Sequence, residues 1–209
     1  MKKWLFWIVV ILSLAGYGYY KFDSRPTTTS NICEIFDQRP HWFVAALHSE
    51  KKWGVSIPTT MSFIKQESSF DQYAKPRFKY VLWVIPWGRE SSSYGFSQAV
   101  NGTWEMYVRD IKTDDVSRTS FYDSTDFVGW FITTASKKNN FAKNDARTAY
   151  LNYHEGWNGY SKGTHNSKPS LLKVATKVET NAKKYENQLA QCRDDLESSI
   201  LTTLISFIW

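Results

Sequence analysis

The sequence predicts a mainly α-helical domain interrupted by one short hairpin or long loop. Three observations carry that expectation. Apolar residues recur at three- and four-residue spacing through most of the chain. Ser, Asn, Asp, Pro and Gly punctuate those runs where helices would start and stop. A single stretch, residues 73–94, abandons the helical period for a β-branched and aromatic run containing Pro86 and Gly88.

The chain begins with Met1-Lys2-Lys3 and then seventeen residues without a charge, Trp4 to Tyr20. A positive start before an apolar run is the order of an export signal. Seventeen helical residues reach roughly 25 Å at about 1.5 Å each, against a ~30 Å hydrocarbon layer. Residues 1–20 are therefore expected to be either a cleaved signal peptide or a short N-terminal membrane anchor. Trp4, Tyr17, Tyr19 and Tyr20 resemble interfacial belt residues and favour a retained anchor, and the charge bias puts residue 21 onward on the outside. Residues 21–31, KFDSRPTTTSN, are polar and read as a linker. The folded domain is expected over residues 32–193, framed by the only two cysteines, Cys33 and Cys192. In an oxidising compartment such a pair bridges; two unrelated buried thiols are the alternative.

Within the domain, Pro40 suits the first turn of a helix bearing Trp42, Ala45, Ala46 and Trp53, and Gly54 is placed to stop it. Ser56 and Pro58 open a second helix with Met61, Ile64 and Glu67, ending near Asp71. The apolar run KYVLWVIPWG follows, either walling a cleft or folded as a flap onto its own domain. Helical spacing returns after GFSQ, residues 95–98. Asn101 or Thr103 can cap a helix with Trp104, Tyr107, Val108 and Ile111, and Asp123 or Ser124 one with Phe127, Trp130 and Phe131. Asn144 opens another, with Ala146, Ala149, Tyr150 and Tyr153 on one face and Gly156 as its stop, before a loop GWNGYSKGTHN. A last helix after Pro169 keeps its apolar repeat through Ala175, Val178, Ala182, Tyr185, Leu189 and Cys192. Residues 194–209 form an apolar C-terminal tail, with Ile200, Leu201, Leu204, Ile205 and Ile208 on one helical face; it either docks on a membrane surface or packs on the domain.

Composition narrows the function. The net charge of +6 and pI near 9.2 favour an anionic partner. No basic run or nucleic-acid motif is present, so nucleic acid is not expected, leaving lipid headgroups or cell-wall polymer. Aromatics make up 17% of the chain, more than a core of this size needs, and flat rings stack on sugars or sit at membrane interfaces. With two cysteines and four histidines, neither a metal site nor a cofactor is expected.

The candidate for chemistry is Glu67. On a helix it shares a surface with Phe63 four residues before it, Ile64 three before and Phe70 three after. An apolar setting disfavours the carboxylate and raises its pKa, which keeps a glutamate protonated near neutral pH for general acid work. The plainer alternative is a boundary glutamate paired with Lys65 or Lys52.

Three separated motifs then carry a resemblance. Glu67, Ser68 and Phe70 match an E-S-x-F helix end. Gly95, Phe96, Ser97 and Gln98 loosely match a G-L-M-Q turn, and Tyr153, His154, Glu155 and Gly156 an A-Y-N-x-G segment. In this order, after an export segment, they resemble the SLT-type lytic transglycosylases, relatives of goose-type lysozyme. With the framing cysteines and AYLNYHEG, the chain is similar to a proteobacterial subfamily described as SLT-domain lipoproteins. The chain departs from the family at Phe96-Ser97, His154 and Glu155, and no lipobox cysteine follows the apolar segment.

The resemblance implies a lysozyme-like helical domain with its hairpin or loop flanking the cleft, and peptidoglycan glycan strands as substrate. It implies cleavage between N-acetylmuramic acid and N-acetylglucosamine with 1,6-anhydro ends, Glu67 being the catalytic acid/base. Ser68, Tyr94, Gln98, Tyr153, His154 and Glu155 would be substrate-binding residues. Two other functions stay open. A lysozyme-type hydrolase would need Glu155, Asp126 or Glu105 to activate water across the cleft, and a noncatalytic wall-binding module would need only the aromatics.

Overall fold

The computed structural model describes residues 23–206, the side chains of residues 200–206 excepted, together with Trp4, Trp7, Ile8, Val10 and Ile11. The signal or anchor expected over residues 1–20 lies, but for those five, outside the described residues, as do the side chains of the apolar stripe from Ile200 to Ile208. Among the described residues no helix is long and apolar enough to cross a membrane.

The expected helices are present. Asn31 caps α1 (Ile32–Gln38), its side-chain oxygen accepting the Cys33 N–H at 3.0 Å. Pro40 opens α2 (Pro40–Trp53), and Gly54 ends it in the left-handed region at φ 69°. Ser56 occupies the cap position of α3 (Ile57–Ser68), which ends earlier than the Asp71 expected because Ser69 and Phe70 both turn left-handed. Residues 73–94 are a hairpin, β1 (Phe78–Val81) antiparallel to β2 (Ile85–Arg89), with a register irregularity between Phe78 and Tyr80. Every residue of both strands is exposed, so the hairpin is not a flap folded onto its domain.

Three helix starts differ from expectation. α4 (Asn101–Ile111) has Val100, not Asn101 or Thr103, at its cap position. α5 (Phe121–Asn139) begins ahead of Asp123 and Ser124: Ser120 caps it, while Ser124 is buried and donates to the Arg118 carbonyl at 3.1 Å. Asp145, not Asn144, caps α6 (Ala146–Ser161), because the Asn144 side chain accepts the Ser56 N–H at 2.8 Å and so fastens the start of α3. Gly156 interrupts α6 as expected, at φ 69° and ψ 155°, a conformation open essentially to glycine alone. The segment beyond is not a plain loop: helix resumes to Ser161 and a 3-10 turn spans Thr164–Ser167. α7 (Pro169–Ser206) is one helix of 38 residues, about 57 Å at 1.5 Å per residue, so the chain continues without a break into the expected tail.

Two apolar clusters fill the domain. One gathers Phe63, Phe127, Phe131, Ala149, Tyr150 and Val178 between α3, α5, α6 and α7. The other gathers Trp42, Ile64, Phe70, Phe96, Phe121 and Tyr185. Its centre is Trp42, stacked on Phe121 with centroids 3.9 Å apart. α3 feeds both clusters, and α7 runs along both, with Ala175 and Val178 in the first and Tyr185 and Leu189 in the second. A Cys33–Cys192 disulfide joins α1 to α7.

Candidate active site

α3 divides its side chains between the two clusters, sending Phe63 into the first and Ile57, Met61 and Ile64 into the second. Glu67 follows Phe63 by one turn and therefore lies on the aromatic wall of α6. There Tyr150 and Tyr153 stand edge-on to Phe63, each with its centroid 5.4 Å from the Phe63 ring. The residue keeps a partly open surface. Burial of its carboxyl dominates its ionisation and raises the pKa to about 7, against an opposing hydrogen bond from the Tyr150 hydroxyl. Burial, followed by the Glu67 charge, also pushes the Tyr150 and Tyr153 hydroxyls above the ordinary tyrosine value, so both remain protonated donors.

Neither lysine considered as a partner reaches Glu67. Lys52 lies 2.9 Å from Asp126, and Lys65 donates to Asn181 at 3.1 Å and lies over the Tyr185 ring. The setting is thus the apolar one, not a surface ion pair.

Backbone strain marks the residues just past Glu67. Ser69 at φ 52° and Phe70 at φ 64° are consecutive left-handed residues, each costing on the order of 1–3 kcal/mol. The fold holds them there because the Phe70 ring is fully buried against Trp42, and burying such a ring stabilises by roughly 1.5–3 kcal/mol. Ser68 donates its hydroxyl to the Ile64 carbonyl at 3.2 Å, finishing the helix.

The turn at residues 94–99 is held from three sides. Gly95, at φ 75°, passes so close to Arg118 that a Cβ would meet its carbonyl oxygen at 1.9 Å. Arg118 in turn donates to the Ala99 carbonyl at 2.9 Å and to the Asn101 side chain at 2.9 Å. The Tyr153 hydroxyl donates to the Ser97 carbonyl at 2.5 Å, tying α6 and hence the Glu67 wall to this turn. Gln98 spends its amide on the loop: Nε2 donates to the Ala74 and Gly95 carbonyls at 2.9 and 2.8 Å, and Oε1 accepts from Ser93 at 3.1 Å. Tyr94 presents its ring to Lys75, whose Nζ lies 5.0 Å from the centroid.

His154 and Glu155 lie further out, beside the Gly156 kink. His154 is exposed; Glu155 is only 4% exposed in its side chain and is clamped by Lys168 at 2.8 Å, by Thr164 and by His154. Hydrogen bonds from Lys168 and Thr164 pull its pKa down to about 2. A depression of about 230 Å³ between α3, α6 and α7 is lined by Gln66, Tyr150, His154, Lys168, Ser170 and Leu171. Asp126 accepts from Lys52, Trp53 and Tyr107 at 2.8–2.9 Å, and Glu105 is exposed on α4.

The structure thus gathers Glu67, Tyr150 and Tyr153, and through Tyr153 the turn bearing Gln98. Glu155 stays in a separate polar cluster with Lys168 and Thr164, while His154, bonded to it, also reaches the depression that Tyr150 lines. Sequence reasoning missed Tyr150, reading it as a core residue, and missed Arg118. The available signal for the former was its place on the helical face of Tyr153, three residues before it; nothing local distinguishes Arg118. The family model described as "Transglycosylase SLT domain" matches residues 5–192. No curated protein matches the chain.

Proposed function

This chain belongs to the transglycosylase SLT domain family, and on that premise we propose that it is a peptidoglycan lytic transglycosylase in which Glu67 serves as both acid and base. The observation that carries the reading is the Glu67 carboxyl set against an aromatic wall, its pKa raised to about 7 and the Tyr150 hydroxyl bonded to it. Such a group holds a proton at neutral pH and can release it within one catalytic cycle.

The protonated carboxyl gives its proton to the oxygen of the bond between N-acetylmuramic acid and N-acetylglucosamine as the C1–O bond breaks. The muramic 6-hydroxyl bonds to C1 and yields its proton to the carboxylate. One C–O bond is broken and one formed, Glu67 is restored, and no water is consumed. Tyr150 orients the carboxyl and steadies its ionised form; Tyr153 holds the turn of Gln98 against it. In this reading Tyr94 and His154 line the path of the glycan, while Ser68, Gln98 and Glu155 act through the helix end, the loop and the Lys168 clamp that they brace.

Commitment of two of the three carboxylates that could serve a hydrolase favours this route over hydrolysis. Asp126 and Glu155 are each held by a lysine and further donors, and so are poorly disposed to activate water. The domain would work on the periplasmic side of a bacterial inner membrane, held by residues 1–20. Purified sacculi provide the test: the wild type should release anhydro-ended muropeptides, and Glu67→Gln should lose about 10²- to 10⁴-fold or more in turnover. Reducing ends as the product would assign the hydrolase instead. Retention of sacculi without turnover by the wild type would assign a wall-binding module.

A further inference from the structure

The β1–β2 hairpin projects an apolar apex into solvent. Leu82, Trp83 and Val84 are 77%, 95% and 75% exposed, and Val81, Ile85 and Trp87 beside them are also exposed. An isolated exposed hydrophobe needs no explanation, but six within one hairpin form a patch that soluble surfaces avoid.

The turn itself opposes its residues. Val84 N–H donates to the Val81 carbonyl at 3.4 Å, and the two central residues, Leu82 and Trp83, have φ 52° and 67°. Tight hairpin turns with two left-handed residues favour Asn-Gly, and bulky side chains there are strained. The chain retains leucine and tryptophan at that disadvantage, which points to a use for their side chains.

From apex to base the hairpin is layered. Val81, Leu82, Trp83, Val84 and Ile85 form the tip; Tyr80 and Trp87 follow, with Lys79 beside them; Phe78 pairs with Arg89 below, and Lys75 and Arg77 lie towards the base, with Glu90 the one acid between residues 75 and 90. All except Pro76 within residues 75–90 are exposed. An apolar apex above interleaved aromatic and cationic residues matches the hydrocarbon level of an anionic membrane and the interface and phosphate levels beneath it. Lysine and arginine stems can extend along apolar surface while their heads stay at the phosphates.

We propose that this hairpin inserts its tip, residues 81–85, into the interfacial zone of an anionic lipid bilayer, with the basic residues at its base on the lipid phosphates. A glycan fits the same surface less well. Sugars need hydrogen-bonding partners beside the stacked ring, and this apex is convex and built largely from aliphatic side chains. Strand addition by a protein is disfavoured by Pro86, which removes a backbone donor from β2.

The native cysteines are both in the disulfide, so full-chain Val84→Cys carries one reactive thiol for an environment-sensitive fluorophore. In vesicles of phosphatidylglycerol and phosphatidylethanolamine, its emission should shift to the blue and its quenching by acrylamide should fall several-fold. In phosphatidylcholine vesicles it should stay open to quencher. A label at Glu186→Cys on α7 should remain open in both, separating the hairpin from any contribution of residues 1–20. Adding Leu82→Asn and Trp83→Gly relaxes the turn while removing the apex, so the hairpin should persist and the shielding should disappear. Equal access of the Val84 label in both vesicles overturns the proposal. So does shielding that requires added glycan strands, or that occurs without lipid as the protein self-associates.

Discussion

Glu67 owes its chemistry to a disagreement between its charge and its neighbours, and that disagreement is measurable in two ways. In kinetics, a general acid with a pKa of about 7 predicts that kcat/KM falls as pH rises through about 7. Tyr150→Phe removes the hydrogen bond that stabilises the carboxylate, so the alkaline limb should move to higher pH; a purely structural tyrosine would lower activity without moving it. In stability, the folded state holds the proton up to about 7 while the unfolded chain releases it near 4.5. Burial of this group therefore costs nothing below about pH 4.5 and progressively more up to pH 7. Glu67→Gln should be more stable than wild type by about 1–3 kcal/mol at pH 8, the gap closing below pH 4.5, as followed by urea denaturation across pH. The acid was legible because Phe63 precedes it by one helical turn; Ile64 and Phe70, expected on the same surface, instead pack into the Trp42 cluster, Phe70 from beyond the helix end. Tyr150 was not, since helical spacing puts it on the buried face and only packing decides that its hydroxyl meets a carboxyl.

Elements were legible where their signals are local. Pro40, Gly54 and the stripe from Ala175 to Leu189 specify their helices through φ restriction, left-handed freedom and burial. Expectation failed where a capping residue serves a distant element: Asn144 binds the Ser56 backbone instead of its own helix, leaving Asp145 as the cap. The kink in α6 and the turn at Gly95 provide contrasting tests. Gly156→Ala meets no neighbour, so its cost is backbone strain alone, about 1–3 kcal/mol by chemical denaturation. Gly95→Ala adds a collision with the Arg118 carbonyl and should cost more than Gly156→Ala in the same measurement, with activity reduced because the Gln98 turn must shift. Equal costs would mean that the turn yields easily.

At the scale of the molecule, α7 binds the two apolar clusters into one body and the disulfide fastens it to α1. The bridge spans 159 residues, and closing so long a loop is worth roughly 4–5 kcal/mol in the chain-entropy picture. Replacing both cysteines by serine should lower stability by about 2–5 kcal/mol, seen as a reduced Tm that no longer responds to reductant. The pair itself was legible from cysteine count and an expected export segment. The bridge was expected too, since the helical repeat puts Cys192 on the buried side of α7; what was not legible is that α1 is the element resting there. The bridge also changes the connectivity of the chain: it makes a closed covalent ring that contains Glu67, Tyr150 and the entire hairpin. A protease that cuts at the exposed Leu82–Val84 apex opens the ring without dividing the molecule. The nicked protein should migrate as one species on a non-reducing gel and separate into an N-terminal and a larger C-terminal fragment only after reduction. Glu67 and Tyr150 would lie on different fragments, yet a single bond remote from both would keep them in the same particle.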